Sequence, residues 1–320
     1  MIDPHAHIGA FKAIEKIIPK LRRKSDFPAW RTKYPEVWNE LITEKAIDNC
    51  EALVEAMDRN GVDVTLVQPT PNVSTEFVRN AAARFPERLV PMGQPTRWPV
   101  GLRPADGGDT APFTDGDGVH SGGEVVAQRT EYYFRELGMR AIGEVNTADI
   151  TQEVDPRLIA RDFDPMMEVL AAYRAPVQIL TAWTQFPGGL YYGDALWVDE
   201  VACRHPNVPI VLTKMGRGIQ RYFDSAMTVA LRNSNVYLDI SGTTSEHFSI
   251  ALDALGPDRI MFATDWSYTW RYLKEPADIH MASIELVRDV VEDAGAVRQI
   301  CSGTAAKVFE QAFASAKRSS

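Results

Sequence analysis

Two histidines one residue apart, His5 and His7 in the run Ile2-Asp3-Pro4-His5-Ala6-His7, are the first residues of this chain whose types and spacing could do chemistry. Residues two apart on a strand share a face, so both imidazoles can aim a nitrogen at one cation. Two carboxylates interrupt otherwise apolar runs further on: Glu144 in MRAIGEV and Asp265 in IMFATDW. An unpaired carboxylate is costly to bury, so each needs something cationic opposite it. One divalent metal held by His5, His7, Glu144 and Asp265 satisfies all four groups, and the two acids balance its charge. Pairing of either acid with a structural arginine or lysine is the alternative.

Lys214, in PIVLTKM, stands at the same level and has three readings. It binds an anionic group of a substrate, it loses its proton through burial and acts as a base, or it pairs with Asp265 in place of a metal. The first is preferred, with Asp265 serving both as ligand and as proton acceptor. Gln178 and Trp183, in and just after PVQILTA, and Trp266, which leads the aromatic series Tyr268, Trp270 and Tyr272, are expected to contact the substrate with Lys214. His247, in a helical stretch, reads as surface, and His120, His205 and His280 receive no role.

The elements that must position these groups are eight short apolar runs: MIDPHAHI from Met1, VDVTLVQP from Val62, LVPMGQP from Leu89, MRAIGEV from Met139, PVQILTA from Pro176, PIVLTKM from Pro209, VYLDISG from Val236 and IMFATDW from Ile260. Helical spacing of apolar residues fills Ala46 to Arg59, Ser74 to Phe85, Glu124 to Leu137, Pro165 to Tyr173, Ala195 to Arg204, Ser245 to Leu255, Ala277 to Ala294 and Val297 to Ala316. The alternation predicts an α/β fold, a (β/α)8 TIM barrel spanning 1–320 as one domain. A doubly wound sheet would more often carry a glycine-rich phosphate loop where His5 and His7 stand. Long insertions, 9–44 after strand one and 95–124 after strand three, would emerge near the active-site face.

Composition limits the function. The net charge is −9 and the basic residues are scattered, the densest run being Lys20 to Lys24, so nucleic acid is not an expected partner. Three cysteines without short spacing, Cys50, Cys203 and Cys301, support neither a disulfide framework nor a thiolate metal site. No signal-peptide pattern and no long apolar run is present, so the expected location is the cytoplasm, with no membrane partner.

The chain resembles the amidohydrolase-related family, the amidohydrolase 2 branch that includes aminocarboxymuconate-semialdehyde decarboxylase, resorcylate decarboxylases and dicarboxylate lactonases. The likeness rests on IDPHAHIG, MDRNGVDVTLVQ, FPERLVPMGQ, CRHPNVPIVLTKMGRG, GPDRIMFATDW and CSGTAAKVF, which together span nearly the whole chain. It implies that His5, His7 and Asp265 are ligands of zinc or manganese, with iron also compatible. AIGEV is similar to the metal-bridging glutamate segment of TatD-like nucleases, which adds weight to Glu144. Two positions depart from the pattern: the strand-five ligand histidine is replaced by Leu180, and the strand-six catalytic histidine by Lys214.

These readings converge on a metal-dependent hydrolase or decarboxylase acting on a small carboxylated or aromatic-derived compound, working as a homo-oligomer. The alternatives are a catalytically silent barrel that pairs with an active homologous subunit, and an iron or manganese oxygenase on the same fold.

Overall fold

The computed structural model describes residues 1–9, 35–36, 39–40, 44–70, 73–97, 122–151, 153, 155–182, 189–266 and 279–319. Most of both long insertions, and Trp183, Tyr268, Trp270 and Tyr272, lie outside them.

All eight expected strands form, each shorter than its apolar run. They are β1 (Ile2–Ile8), β2 (Val64–Pro69), β3 (Leu89–Pro91), β4 (Ile142–Val145), β5 (Val177–Leu180), β6 (Ile210–Thr213), β7 (Val236–Asp239) and β8 (Ile260–Met261). β1 to β3 and β4 to β8 pair in parallel and in chain order. Bridges from Gly93 to Ile142 and from Ala6 to Trp266 join the two sheets into a closed ring. Connecting helices follow in turn: α1 (Cys50–Asn60), α2 (Thr75–Ala82), α3 (Gly122–Arg135), α4 (Pro156–Tyr173), α5 (Val198–Arg204), α6 (Gln220–Arg232), α7 (Ser245–Leu255) and α8 (Ile279–Val290). This is the α/β barrel that the alternation predicts.

Strand alternation sorts the core into layers. Val177, Ile179, Ile210, Leu212, Val236 and Leu238 point outward and pack against helices. Leu66, Val90, Met92, Ala141, Val211, Tyr237 and Met261 point inward. Val308, Phe309 and Ala312, from the end of the chain, join this inner set, so the C-terminal helix α9 (Glu310–Ser319) and the turn before it plug the barrel beneath the site.

Two helix expectations need correction. α6 was absent from the predicted series, although Tyr222, Phe223, Ala226, Met227, Val229 and Ala230 are buried at helical spacing. Its start carries no signal, because Ile219 caps it without a side-chain hydrogen bond. α4 starts nine residues before the Pro165 taken as its first turn; Asp155 caps it by accepting the Arg157 N–H, and Pro156 holds the first position. Pro165 therefore lies inside the helix, where it removes one backbone donor.

Candidate metal centre

Two backbone irregularities aim the ligands. In β1, Asp3 pairs with Thr65 but Ala6 with Val67, so three residues span two of the neighbour. The bulge falls at Pro4 and His5: proline has no N–H for the ladder, and the His5 N–H turns to Asp3 Oδ1 at 3.1 Å. Gln178 on β5 donates to the Pro4 carbonyl at 2.6 Å. This corrects the expectation that Gln178 meets substrate, since it is fully buried and engaged with the backbone of β1.

The second bulge lies in β4, where Ile142 pairs with Val177 and Glu144 with Gln178. Strict alternation from inward Ala141 would send Glu144 outward; the extra residue, Gly143, returns it to the axis. Gly143 is required there, because a Cβ would stand 1.9 Å from Gln68 Oε1. That same oxygen accepts the Glu144 N–H.

His5, His7, Glu144 and Asp265 converge as predicted, with one ligand atom from each inside a 4.8 Å span. His5 Nε2 lies 3.6 Å from Glu144 Oε1 and 3.4 Å from Asp265 Oδ1. His7 Nε2 lies 3.6 Å from Glu144 Oε2 and 3.4 Å from Asp265 Oδ1. A tetrahedron with bonds of about 2.1 Å has edges of about 3.4 Å, so the spacing suits a divalent ion. The tautomers suit it too. His5 Nδ1 donates to Asp239 Oδ2 at 2.8 Å and His7 Nδ1 to the Pro69 carbonyl at 2.9 Å, which turns both Nε2 lone pairs inward. His5 Nε2 is buried with no hydrogen-bond partner, as a nitrogen kept for a metal would be.

Lys214 was expected to face a substrate anion. Instead its ammonium lies 2.7 Å from Asp265 Oδ2 and 3.1 Å from Glu144 Oε1, with the residue 4% exposed. Burial works against its charge, but Asp265 and then Glu144 outweigh it and raise its pKa, which rules against a neutral lysine base. Burial likewise opposes charge on the two acids, yet the field of Lys214, helped by the histidines, holds both well below the usual carboxylate range. His7 is pushed up to about 9: burial disfavours its cation, and the hydrogen bonds to Asp265 and Glu144 more than compensate.

Both members of the lysine–aspartate pair sit on strained backbone, Lys214 at φ 67° and Asp265 at φ 54°. From Lys214 to Gly218 every residue is left-handed, costing about 1–2 kcal/mol for each non-glycine. Such strain clusters where function fixes the chain. Gly216 is obligatory in this turn, since a Cβ would stand 2.4 Å from the Phe223 nitrogen.

Asp239 is the site residue that the sequence reading missed. Fully buried at the end of β7, its Oδ1 accepts from Lys214 N at 2.8 Å, Ser241 N at 3.0 Å and Ser241 Oγ at 2.6 Å, while Oδ2 holds His5. Like Glu144 and Asp265, Asp239 is a carboxylate inside an apolar run, VYLDISG. Gln68 was also missed; its amide nitrogen lies 3.1 Å from His7 Nε2. Thr213 Oγ1 donates to Glu144 Oε1. Beneath the centre, Asp3 takes hydrogen bonds from Thr264 N at 3.2 Å and Thr264 Oγ1 at 2.5 Å, and burial pushes its pKa up to about 7.

Trp266, expected in a substrate wall, belongs to the outer core with Ala6, Ile8, Leu53 and Val67. Its pairing with Ala6 sets it facing outward as Asp265 faces in. His247, expected at the surface, is buried and stacked on Phe223 at 4.1 Å, with Nε2 3.1 Å from Gln220 Oε1. His280 is buried too, 3.7 Å from Asp3 Oδ2. No helix among the described residues is long and apolar enough to cross a membrane.

Comparison with known proteins agrees with the barrel fold. The model of a family described as amidohydrolase matches residues 2–311. No curated protein matches the chain. Among solved structures, an uncharacterized TIM-barrel protein from Bordetella bronchiseptica superposes with a TM-score of 0.65 at 16% identity, covering 98% of this chain and 99% of that one. A 4-oxalomesaconate hydratase from Rhodopseudomonas palustris gives 0.62 at 16% identity, over 100% and 98%. The 5-carboxyvanillate decarboxylase of Novosphingobium aromaticivorans, solved with bound manganese and 3-methoxy-4-hydroxy-5-nitrobenzoic acid, gives 0.62 at 16% identity, over 97% and 96%.

Proposed function

The chain belongs to the amidohydrolase family, and from that premise we propose that it is a metal-dependent lyase that removes carbon dioxide from a small aromatic carboxylate. The observation that carries this reading is the Lys214 ammonium, 2.7 Å from Asp265 and 3.1 Å from Glu144. Hydrolysis needs a group that takes a proton from water; decarboxylation needs one that gives a proton to carbon. A lysine kept charged by two carboxylates supplies protons.

In the proposed reaction the bond between the ring and its carboxylate breaks and the electron pair stays on the ring carbon. A proton then closes that carbon as carbon dioxide leaves. Lys214, held as an ammonium beside Asp265 at 2.7 Å and Glu144 at 3.1 Å, is the source of that proton. His5, His7, Glu144 and Asp265 would hold the metal, manganese or zinc, with iron also suited to this ligand set. When bound, that ion supplies a Lewis acid for the substrate's oxygens. Asp239 and the Pro69 carbonyl keep the imidazoles in place for it. The convergence of four ligating groups favours an active enzyme over a silent subunit. Decarboxylase and hydratase relatives with aromatic or related acid substrates support the same class.

The test is carbon dioxide release from 5-carboxyvanillate and a panel of hydroxybenzoates by manganese-loaded protein in deuterated water. Deuterium should appear at the vacated ring carbon, and Lys214→Met should slow release by about a hundredfold or more. Opening of lactones or amides with no carbon dioxide release from any acid would reject the lyase reading in favour of a hydrolase.

A further inference from the structure

The seam between β3 and β4, where the two sheets meet, closes only at its upper end. The Gly93 N–H donates to the Ala141 carbonyl at 3.1 Å, and the Gly93 carbonyl accepts the Gly143 N–H at 2.7 Å. Alternate residues of a strand face the same neighbour, so the next donor down this edge of β3 is residue 91, a proline with no N–H to give. Below it lies a cavity of about 400 Å³, at the end of the barrel away from the metal ligands. Ala83, which caps α2, gives it apolar walls together with Leu89, Pro91, Leu137, Met139 and Ala312 of α9. Arg79 and Arg140 line it as well. Ser315 of α9 donates to the Gly138 carbonyl at 2.6 Å and holds that helix against the cavity.

We infer that this cavity is a binding site for a small organic carboxylate with an apolar body. The inference is independent of the metal and lyase readings, since none of its residues belongs to the metal centre. Among the described residues no carboxylate pairs with Arg79, which is exposed, or with Arg140, which is half-buried. Arg79 Nε donates to the Leu137 carbonyl at 3.3 Å. Arg140 Nη1 donates to the carbonyls of Phe134 and Met139, each at 2.6 Å, and its guanidinium lies over the Tyr173 ring at 5.2 Å. These contacts fix both groups and leave Nη1 and Nη2 of Arg79, and Nε and Nη2 of Arg140, as donors for a ligand.

Capping the end of α3 accounts for only part of this charge. A helix C-terminus carries the equivalent of about half a negative charge, and the ends of α2 and α3 both border the cavity. Two guanidinium groups therefore leave it with about one positive charge in excess. An inorganic anion would answer that charge and leave the apolar walls bare; a neutral apolar molecule would do the reverse. A carboxylate on a ring or short chain answers both, and the volume lies within the range of about 300–1,000 Å³ usual for small-molecule sites.

The probe is cyclohexanecarboxylate, which has no aromatic ring from which to lose carbon dioxide, with cyclohexanecarboxamide as its uncharged counterpart. Isothermal titration calorimetry on the full chain should show one equivalent of the acid bound, and the amide bound about tenfold more weakly or worse. Arg79→Met/Arg140→Met should weaken the acid by about tenfold or more. So should Ala83→Trp, where an exposed residue gives way to an indole that fills the cavity. This second variant keeps the test decisive where loss of both arginines unfolds the chain, which circular dichroism reads. His5→Ala, at the other end of the barrel, should leave the affinity for the acid unchanged. No binding of the acid at about 10 mM, equal affinity for acid and amide, or full affinity in either folded cavity variant would overturn the inference. Loss of binding in His5→Ala would place the acid at the metal centre and overturn it too.

Discussion

Replacing Asp239 with asparagine should reverse the proton on His5. Oδ1 of Asp239 accepts three hydrogen bonds, from Lys214 N, Ser241 N and Ser241 Oγ, so the asparagine carbonyl oxygen must remain on that side. Its NH2 group then faces His5 Nδ1, now 2.8 Å from Oδ2, and two donors cannot share that contact. His5 either loses the hydrogen bond or moves its proton to Nε2, the nitrogen that would ligate the metal. Loss of an outer-shell partner typically costs 10- to 100-fold in metal affinity, which is about 1.4–2.7 kcal/mol. The tautomer reversal places Asp239→Asn at or beyond the upper end. The substitution preserves shape, so the thermal midpoint of the metal-free protein should shift far less than that of a cavity variant. The assay is a manganese(II) titration against a competing chelator for wild type, Asp239→Asn and His5→Ala. Affinity of Asp239→Asn within threefold of wild type would refute the reasoning, because His5 would then need no carboxylate to set its tautomer.

Metal uptake should release protons: His7 in the metal-free protein is pushed up to about 9, so below that pH the ion must displace a proton. Apparent affinity should rise about tenfold per pH unit from near 7 and flatten above about 9; calorimetry in two buffers of different ionisation heat reads the proton count, and a count of zero at pH 7 contradicts it. Gly143→Ala would place a Cβ 1.9 Å from Gln68 Oε1 and 2.8 Å from Gln68 Cβ. It should lose about 1–3 kcal/mol in urea unfolding and weaken metal binding too, as Gln68 and Glu144 are both displaced; an unchanged unfolding midpoint would count against the close approach. Phe309→Ala removes the fully buried aromatic of the barrel plug and should cost about 3–5 kcal/mol of stability. Metal affinity in the folded protein should stay within threefold of wild type, because the plug lies at the opposite end from the ligands; a larger loss would show that the two ends are coupled.

The barrel was legible in the sequence because a parallel strand covered on both faces must be apolar throughout, and eight such runs stand out between helical stretches. What stayed hidden depended on cues that act through space. Glu144 was identified from its cost of burial, yet period-two reasoning alone would have turned it outward; the bulge at Gly143 is set by Gln68 on another strand. Trp266 looked like a substrate contact because it follows Asp265, but the bridge to Ala6 sends it to the outer core. Gln178 looked like a substrate donor, but the bulge in β1 leaves the Pro4 carbonyl for it to satisfy. Lys214 was read correctly as facing the centre. Which group it neutralises depended on where Asp265 and Glu144 lie in space, and both acids reach it only because one strand bulges and one strand end takes left-handed φ. Asp239 is different: its signal, a carboxylate in an apolar strand, was present in VYLDISG and was passed over.

The central claim is that His5, His7, Glu144 and Asp265 hold a divalent metal, and anomalous diffraction from crystals of the manganese-loaded protein tests it most directly. The account predicts one strong peak per chain, bounded by His5 Nε2, His7 Nε2, Asp265 Oδ1 and a Glu144 carboxylate oxygen, with Lys214 Nζ on the far side of the two carboxylates. No peak at that position in metal-loaded crystals, or a peak held by other residues, would contradict it.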